Sequence, residues 1–257
     1  MGKAVIVTGA STGIGLGIAL KFLSEGDDVV LVGRSLERLE AAIPADFTAN
    51  GKHFFVAQDV STLEGCRTLV REGVKLLSGR LDVLVNNAGA AKFGLLLENI
   101  TPEDWAFHMN LNLNSVLFTT QEAVPFLKAS RGSVVNISSV AAERAFQGGG
   151  AYSVSKAAVN MLTKASALEL APSGVRINSV NPGTVNTSIF TTSGMTPEQA
   201  EAYKAKSALS TPLGRVGEPD DVAELCYFLT DNAKSGWLTG QCIYLDGGKL
   251  LPLNSSN

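Results

Sequence analysis

Cysteine and histidine are scarce in this chain, and charge is sparse. Its 257 residues include three cysteines and two histidines. Cys66, Cys226 and Cys242 lie far apart and form no C-x-x-C pair. An odd, scattered set argues against a disulfide frame and predicts free thiols in a reducing compartment. His53 and His108 are too few and too separated to suggest a metal cluster, so no metal is expected. Only 18% of residues are charged, and the formal net charge is −3. No basic cluster forms a nucleic-acid footprint. No apolar run approaches the ~18 residues of a membrane span. The chain enters an apolar run at Ala4, which leaves no room for a signal peptide. The expected compartment is cytoplasmic.

Hydrophobic residues make up 45%, enough for a sizeable core. Short β-type runs alternate with longer helical stretches almost end to end. Ala4–Val7, Val29–Val32, His53–Ala57, Leu81–Val85, Ser133–Ile137, Val175–Val180 and Cys242–Leu245 read as strands. Helical periodicity covers 14–25, a segment starting near Leu36, and 62–77. Strands that are apolar throughout and separated by helices imply a parallel sheet covered on both faces. The expected fold is α/β, doubly wound and Rossmann-like, as a single domain spanning residues 1–257. One stretch breaks the alternation, from Gly183 to Gly217, with a short helix predicted from Pro197 to Ser207. A long irregular insertion after a strand suits a substrate lid over residues 184–216, or an ordinary surface excursion.

The first strand ends in Thr8-Gly9-Ala-Ser11-Thr12-Gly13-Ile14-Gly15, where a helix begins. Glycines at a strand-to-helix turn let backbone N–H groups approach a pyrophosphate, and the helix N-terminus adds partial positive charge. A second signal, Asn86-Asn87-Ala88-Gly89, follows the fourth strand. In a doubly wound sheet the first and fourth strands flank the ligand crevice. Asn86 and Asn87 can also tie neighbouring strand ends together. The second strand ends Gly33-Arg34. NAD sites tend to place a carboxylate there, whereas a guanidinium can clamp a 2′-phosphate. Arg34 therefore favours NADP(H), with NAD(H) the alternative. Asp59-Val60 is placed to meet an adenine edge, or Asp59 caps the next helix.

Tyr152 and Lys156 are four residues apart, so a helix stacks them on one face. A free phenol loses its proton near pH 10. A nearby ammonium favours the phenolate. Lowering that value by roughly three units needs about 4 kcal/mol of differential stabilisation.

Together these motifs resemble the short-chain dehydrogenase/reductase family over nearly the whole chain. The likeness also rests on Asn181-Pro182-Gly183, Leu238-Thr-Gly-Gln241 and Asp246-Gly-Gly248. The resemblance implies four catalytic residues. Tyr152 and Lys156 match directly, and the family's serine, thirteen residues before the tyrosine, falls on Ser139. Ser138 is its neighbour, expected to point the other way. The family's asparagine fits Asn112 best, with Asn110 and Asn114 as alternatives. Pro182, Gly183, Val185 and Thr187 match the segment lining the nicotinamide. Ser139 and Tyr152 would meet the substrate oxygen, with Tyr152 transferring the proton. Lys156 would also hold the nicotinamide ribose, and Asn112 would support a water-linked proton path.

The implied activity is NADP-dependent interconversion of a carbonyl compound and a secondary alcohol. An NAD-dependent sugar, polyol or hydroxysteroid dehydrogenase is the alternative, and a non-catalytic nucleotide-sensing regulator is more remote. The apolar, hydroxyl-rich insertion and the lack of an arginine cluster lean towards a neutral substrate. A homotetramer is implied, with the Tyr152 helix packing between subunits.

Overall fold

The computed structural model describes residues 2–252. Seven strands form one sheet in the order β3-β2-β1-β4-β5-β6-β7, and every pairing is parallel. They are β1 (Ala4–Thr8), β2 (Asp28–Gly33), β3 (His53–Ala57), β4 (Val83–Asn86), β5 (Ser133–Ile137), β6 (Arg176–Pro182) and β7 (Cys242–Leu245). The chain winds outward from β1 to β3, then returns to place β4 on the other side of β1. That reversal opens a crevice at the carboxyl ends of β1 and β4.

Strand periodicity divides the core into two layers. Val5 and Val7 of β1, Val29 and Leu31 of β2, and Val83 and Val85 of β4 face one side. There they meet α1 (Gly13–Ser24) and α9 (Pro219–Leu229) through Ile18, Phe22, Cys226 and Leu229. Ile6, Val30 and Leu84 face the other side. They pack on α3 (Leu63–Leu76), α5 (Ser115–Ser130) and α6 (Gly150–Leu170). Apolar residues on both faces explain why these strands read as unbroken hydrophobic runs.

Five further helices complete the chain. They are α2 (Leu36–Glu40), α4 (Pro102–His108), α7 (Ile189–Thr192), α8 (Pro197–Leu209) and α10 (Asn232–Ser235), all but α8 short. Residues 183–217 thus hold two helices, not unstructured chain. Thr196 and Gln199 form a reciprocal cap that starts α8 directly before Pro197. Among the described residues no helix is long and apolar enough to cross a membrane.

Candidate active site

The crevice is pinned open by Thr8. Its hydroxyl donates to the Val85 carbonyl at 3.3 Å and accepts from the Asn87 and Ala88 amides at 3.0 Å each. The Asn87 side-chain Nδ2 donates to the carbonyls of Thr8 at 2.9 Å and Gly9 at 3.2 Å. Strand ends that would otherwise splay are thereby fixed at one separation. Gly9 sits at φ +66°, and a Cβ there would lie 2.9 Å from the Ala88 Cα. At Gly15 a Cβ would lie 2.3 Å from both Asn87 Nδ2 and the Gly9 carbonyl oxygen. Only glycine fits this turn.

A cavity of about 940 Å³ occupies the crevice. Gly9, Ser11, Thr12, Gly13, Ile14 and Gly15 line its floor. Arg34, Asp59 and Val60 line one end, and Ala88, Gly89, Pro182, Gly183, Val185 and Thr187 line the middle. Thr12 precedes α1 without closing it by a side-chain bond, which leaves the helix start available to an anion. Val185 pairs with Gly217, but Asn186 and Thr184 make the bonds. The amide and carbonyl of Val185 itself are left unused by that pairing. Glycines, helix amides and exposed cations in one groove fit a dinucleotide.

One of the residues singled out from the sequence behaves differently in the fold. Asn86 does not line the cavity. Its amide is buried and donates to Thr120 Oγ1 and Asn136 Oδ1, at 2.9 Å each. Strand alternation turns it into the α5 side, so Asn87 is the cavity asparagine and Asn86 ties β4 to β5. The Asp59 carboxylate accepts from the Ser61 amide at 2.9 Å and so shapes the turn before α3, while remaining exposed at the cavity edge. Arg38 was missed. It follows Arg34 by four residues and lines the same end.

The hydroxyl, phenol and ammonium lie farther in. Tyr152 and Lys156 sit on the buried face of α6, at 9% and 5% exposure. Ser139 lies just after β5 at the start of the 3-10 turn Val140–Ala142, and its hydroxyl accepts from the Ala141 amide at 3.1 Å. Ser138 is turned back, donating to the Lys156 carbonyl at 3.0 Å. Burial pushes the Tyr152 phenol above its usual value, and a hydrogen bond with Ser139 partly draws it back. Burial lowers the Lys156 ammonium to about 8. Its Nζ donates to the Ile137 carbonyl at 2.9 Å and lies 5.9 Å from the Tyr152 ring centre. The lysine therefore does not depress the phenol in the free protein; desolvation dominates.

Asn112 sits behind the cavity, fully buried in a π-helical turn, Met109–Asn114, between α4 and α5. Its Oδ1 accepts from the Ala90 amide at 2.9 Å. Its Nδ2 donates to the Ala90 carbonyl at 3.0 Å and to Ser155 Oγ at 3.1 Å. Asn110 and Asn114 bond each other at 2.9 Å instead. The wider turn is what rotates Asn112 inward. A Cβ at Gly89 would come 3.1 Å from Asn112 Oδ1 and 3.4 Å from Lys156 Nζ. Those three positions meet at one point of the cavity wall.

The opposite wall is aromatic. Phe93 lies edge-on to Tyr152 at 6.2 Å and to Phe146 at 5.7 Å, and stacks on Phe190 at 6.4 Å. Phe190 packs on Tyr203 of α8 at 4.9 Å. Phe93 and Tyr203 carried no sequence signal, because one lies in an irregular connection and the other on a helix of mixed pattern.

A parallel sheet with a glycine cradle at its switch point, and a hydroxyl, phenol and ammonium in the same cavity, defines a dinucleotide-dependent α/β oxidoreductase. Comparison with known proteins narrows this. The family profile described as Enoyl-(Acyl carrier protein) reductase matches residues 9–249. A 3-oxoacyl-[acyl-carrier-protein] reductase of Chlamydia pneumoniae is 36% identical over 96% of this chain and 97% of its own. A 3beta-hydroxysteroid dehydrogenase of Mediterraneibacter gnavus is 35% identical over 96% and 94%. The crystal structure of a short-chain dehydrogenase/reductase of unknown function from Caenorhabditis elegans, with cofactor, superimposes with a TM-score of 0.89 at 34% identity, covering 98% and 97%. The chain belongs to the short-chain dehydrogenase/reductase family, whose members are NAD(P)(H)-dependent oxidoreductases.

Proposed function

We propose that the protein is an NADP-dependent reductase of carbonyl compounds, acting in reverse on secondary alcohols. The observation that carries this reading is that Ser139, Tyr152 and Lys156 line the same cavity as the glycine turn. When bound, the nicotinamide supplies the hydride. Ser139 is placed to donate a hydrogen bond to the substrate oxygen as negative charge develops there. Tyr152 gives that oxygen its proton. A phenol held protonated by burial suits the reductive direction, in which it acts as an acid. Lys156 uses one of its three N–H donors on Ile137, leaving two for the cofactor ribose and the phenol. Asn112 holds Ala90 and Ser155, and so the wall beside Lys156, where a water-linked proton path would pass.

Arg34 just after β2 and Arg38 in α2, with Gly33 where a carboxylate would bind a ribose diol, support NADP(H) over NAD(H). Residues 184–216 serve as the substrate lid, with Phe190 and Tyr203 facing the site. Aromatic walls suit an acyl chain or fused ring, as the names of the two relatives also suggest, better than a sugar. Val154, Met161 and Leu168 recur every seven residues as an exposed apolar stripe on α6, 47%, 63% and 80% accessible. That stripe suits packing against a second copy, in the homotetramer that the family resemblance implies.

The decisive experiment follows NADPH absorbance over a panel of ketones, 3-oxoacyl thioesters, hydroxysteroids and sugars. Steady consumption with one carbonyl class is expected. NADPH binding without any turnover would instead favour a nucleotide-sensing regulator.

A further inference from the structure

Arg144 and Lys249 are 105 positions apart in the chain, yet both line the cavity that holds Tyr152. Arg144 follows the 3-10 turn after Ser139, and its guanidinium donates to the Lys249 carbonyl at 3.4 Å. The Lys249 ammonium is fixed against α8. It donates to Ser207, through both hydroxyl and carbonyl, and to Ser210 Oγ at 3.3 Å.

Neither cation has an ion-pair partner among the described residues. The nearby acids are engaged elsewhere. Glu143 accepts from the Tyr244 hydroxyl at 3.1 Å. Asp246 accepts from the Gly248 and Leu250 amides at 2.9 Å each. Lys249 feels burial first, then repulsion from Arg144, with Asp246 only partly opposing them. Two like charges held near each other beside a cavity leave a positive field that an anion would relieve. The wall between them and the reacting group is apolar. It runs from Tyr152 through Phe93 to Phe146, two residues beyond Arg144.

We propose that Arg144, backed by Lys249, forms an anion-binding subsite at the mouth of the substrate pocket, so that the preferred substrate is an apolar carbonyl compound carrying a carboxylate or phosphate remote from its carbonyl. This rests on the carbonyl-reductase reading above. Arg144 is exposed and free to swing, so it can offer its two-pronged face to a carboxylate or phosphate. Lys249 is saturated by its serines and contributes charge rather than contact.

Two matched pairs test it, each assayed with the whole enzyme and NADPH. One pair is a ring ketone bearing a carboxylate side chain and its methyl ester. The other is a 3-oxobutyryl thioester of phosphopantetheine and of pantetheine. At least one pair should show roughly tenfold or greater preference in kcat/KM for its anionic member, the range of a charge-assisted hydrogen bond. Which pair responds tells carboxylate from phosphate. The preference should shrink with added salt, approach one in Arg144→Gln, and invert in Arg144→Glu, mainly through KM. Equal kcat/KM within both pairs, while neutral ketones are reduced, overturns the subsite and leaves the reductase reading standing. So does a preference that survives both Arg144 variants. If no carbonyl compound of any class is reduced although NADPH binds, the reductase reading itself fails and takes the subsite with it.

Discussion

The end of the cavity proposed for the dinucleotide is made from strand ends and glycine turns, whereas the end proposed for the substrate is made from side chains carried by long connections. At the first end, position is set by backbone. Thr8 and Asn87 clamp β1 to β4, and a single added methyl at Gly15 meets atoms at 2.3 Å. At the second end, position is set by aromatic rings that touch one another, Phe93 on Phe146, Tyr152 and Phe190, and Phe190 on Tyr203. A backbone site tolerates almost no substitution and serves one ligand. A site of packed rings on loops can be recut without disturbing the sheet. Tyr152, Lys156 and Ser139 stand where the two meet, on α6 and just after β5.

The sharpest way to separate the two ends is to remove one oxygen at their junction. Tyr152→Phe should lower kcat by roughly 10²–10⁴, the range of a general acid. NADPH affinity and melting temperature should stay near wild type, because the ring and its packing on Phe93 are kept. A variant that loses cofactor binding as well would mean that Tyr152 builds the dinucleotide end rather than the chemistry.

Lys156 gives the next largest effect, read through pH. Burial lowers its folded value to about 8 from an ordinary 10.5. Between those two values the unfolded chain binds more protons than the folded one. Stability from this group therefore rises with pH across the window, and the cost of burying the ammonium is fully present below it. Lys156→Met removes the group. Urea unfolding should show the variant gaining on wild type at pH 7 and losing that advantage towards pH 10. The change between the two is on the order of 3 kcal/mol. A pH-independent difference would place the ammonium in a well-solvated setting.

Gly15→Ala attacks the backbone end alone. Its Cβ would meet Asn87 Nδ2 and the Gly9 carbonyl oxygen, and neither is the free tip of a flexible chain. Overpacking of this kind costs about 1–3 kcal/mol. The expected result is a lower melting temperature together with weaker NADPH binding. Intact cofactor binding at a lower melting temperature would show that the cradle yields more than its contacts suggest.

The same division decided what could be read from the sequence. Every strand was visible, because a sheet buried on both faces must be apolar throughout, as in Val29–Val32. The glycine turn was visible because only one residue type fits it. Tyr152 and Lys156 were visible because one helical turn separates them. Phe93, Arg144, Tyr203 and Lys249 were not, since chain closure alone brings them together. Asn86 and Asn87 show the limit within a motif. The sequence assigned the pair to both cofactor and sheet, and strand alternation then divided the roles, burying Asn86 against Thr120 and Asn136. The setting of the phenol was hidden for a related reason. Residue spacing gives proximity, but it does not give the burial that pushes the phenol up.

The smallest effect tests how far the backbone end depends on side chains. Arg34 and Arg38 are exposed at the cavity edge, and neither guanidinium has an ion-pair partner among the described residues. Ser35 caps α2 through the Arg38 amide at 3.3 Å, which sets the two arginines on either side of the helix start. A 2′-phosphate between them would take one charged hydrogen bond from each. Each such bond on a solvent-facing site is worth on the order of 1 kcal/mol after screening. Arg34→Ala should weaken NADPH binding about fivefold to tenfold and leave NADH unchanged, with Arg38→Ala smaller and the double variant larger than either. Fluorescence titration with both cofactors reads this directly. Tighter binding of NADH than NADPH by the wild type, indifferent to both substitutions, would remove the arginines from the site and leave the backbone cradle as its whole basis.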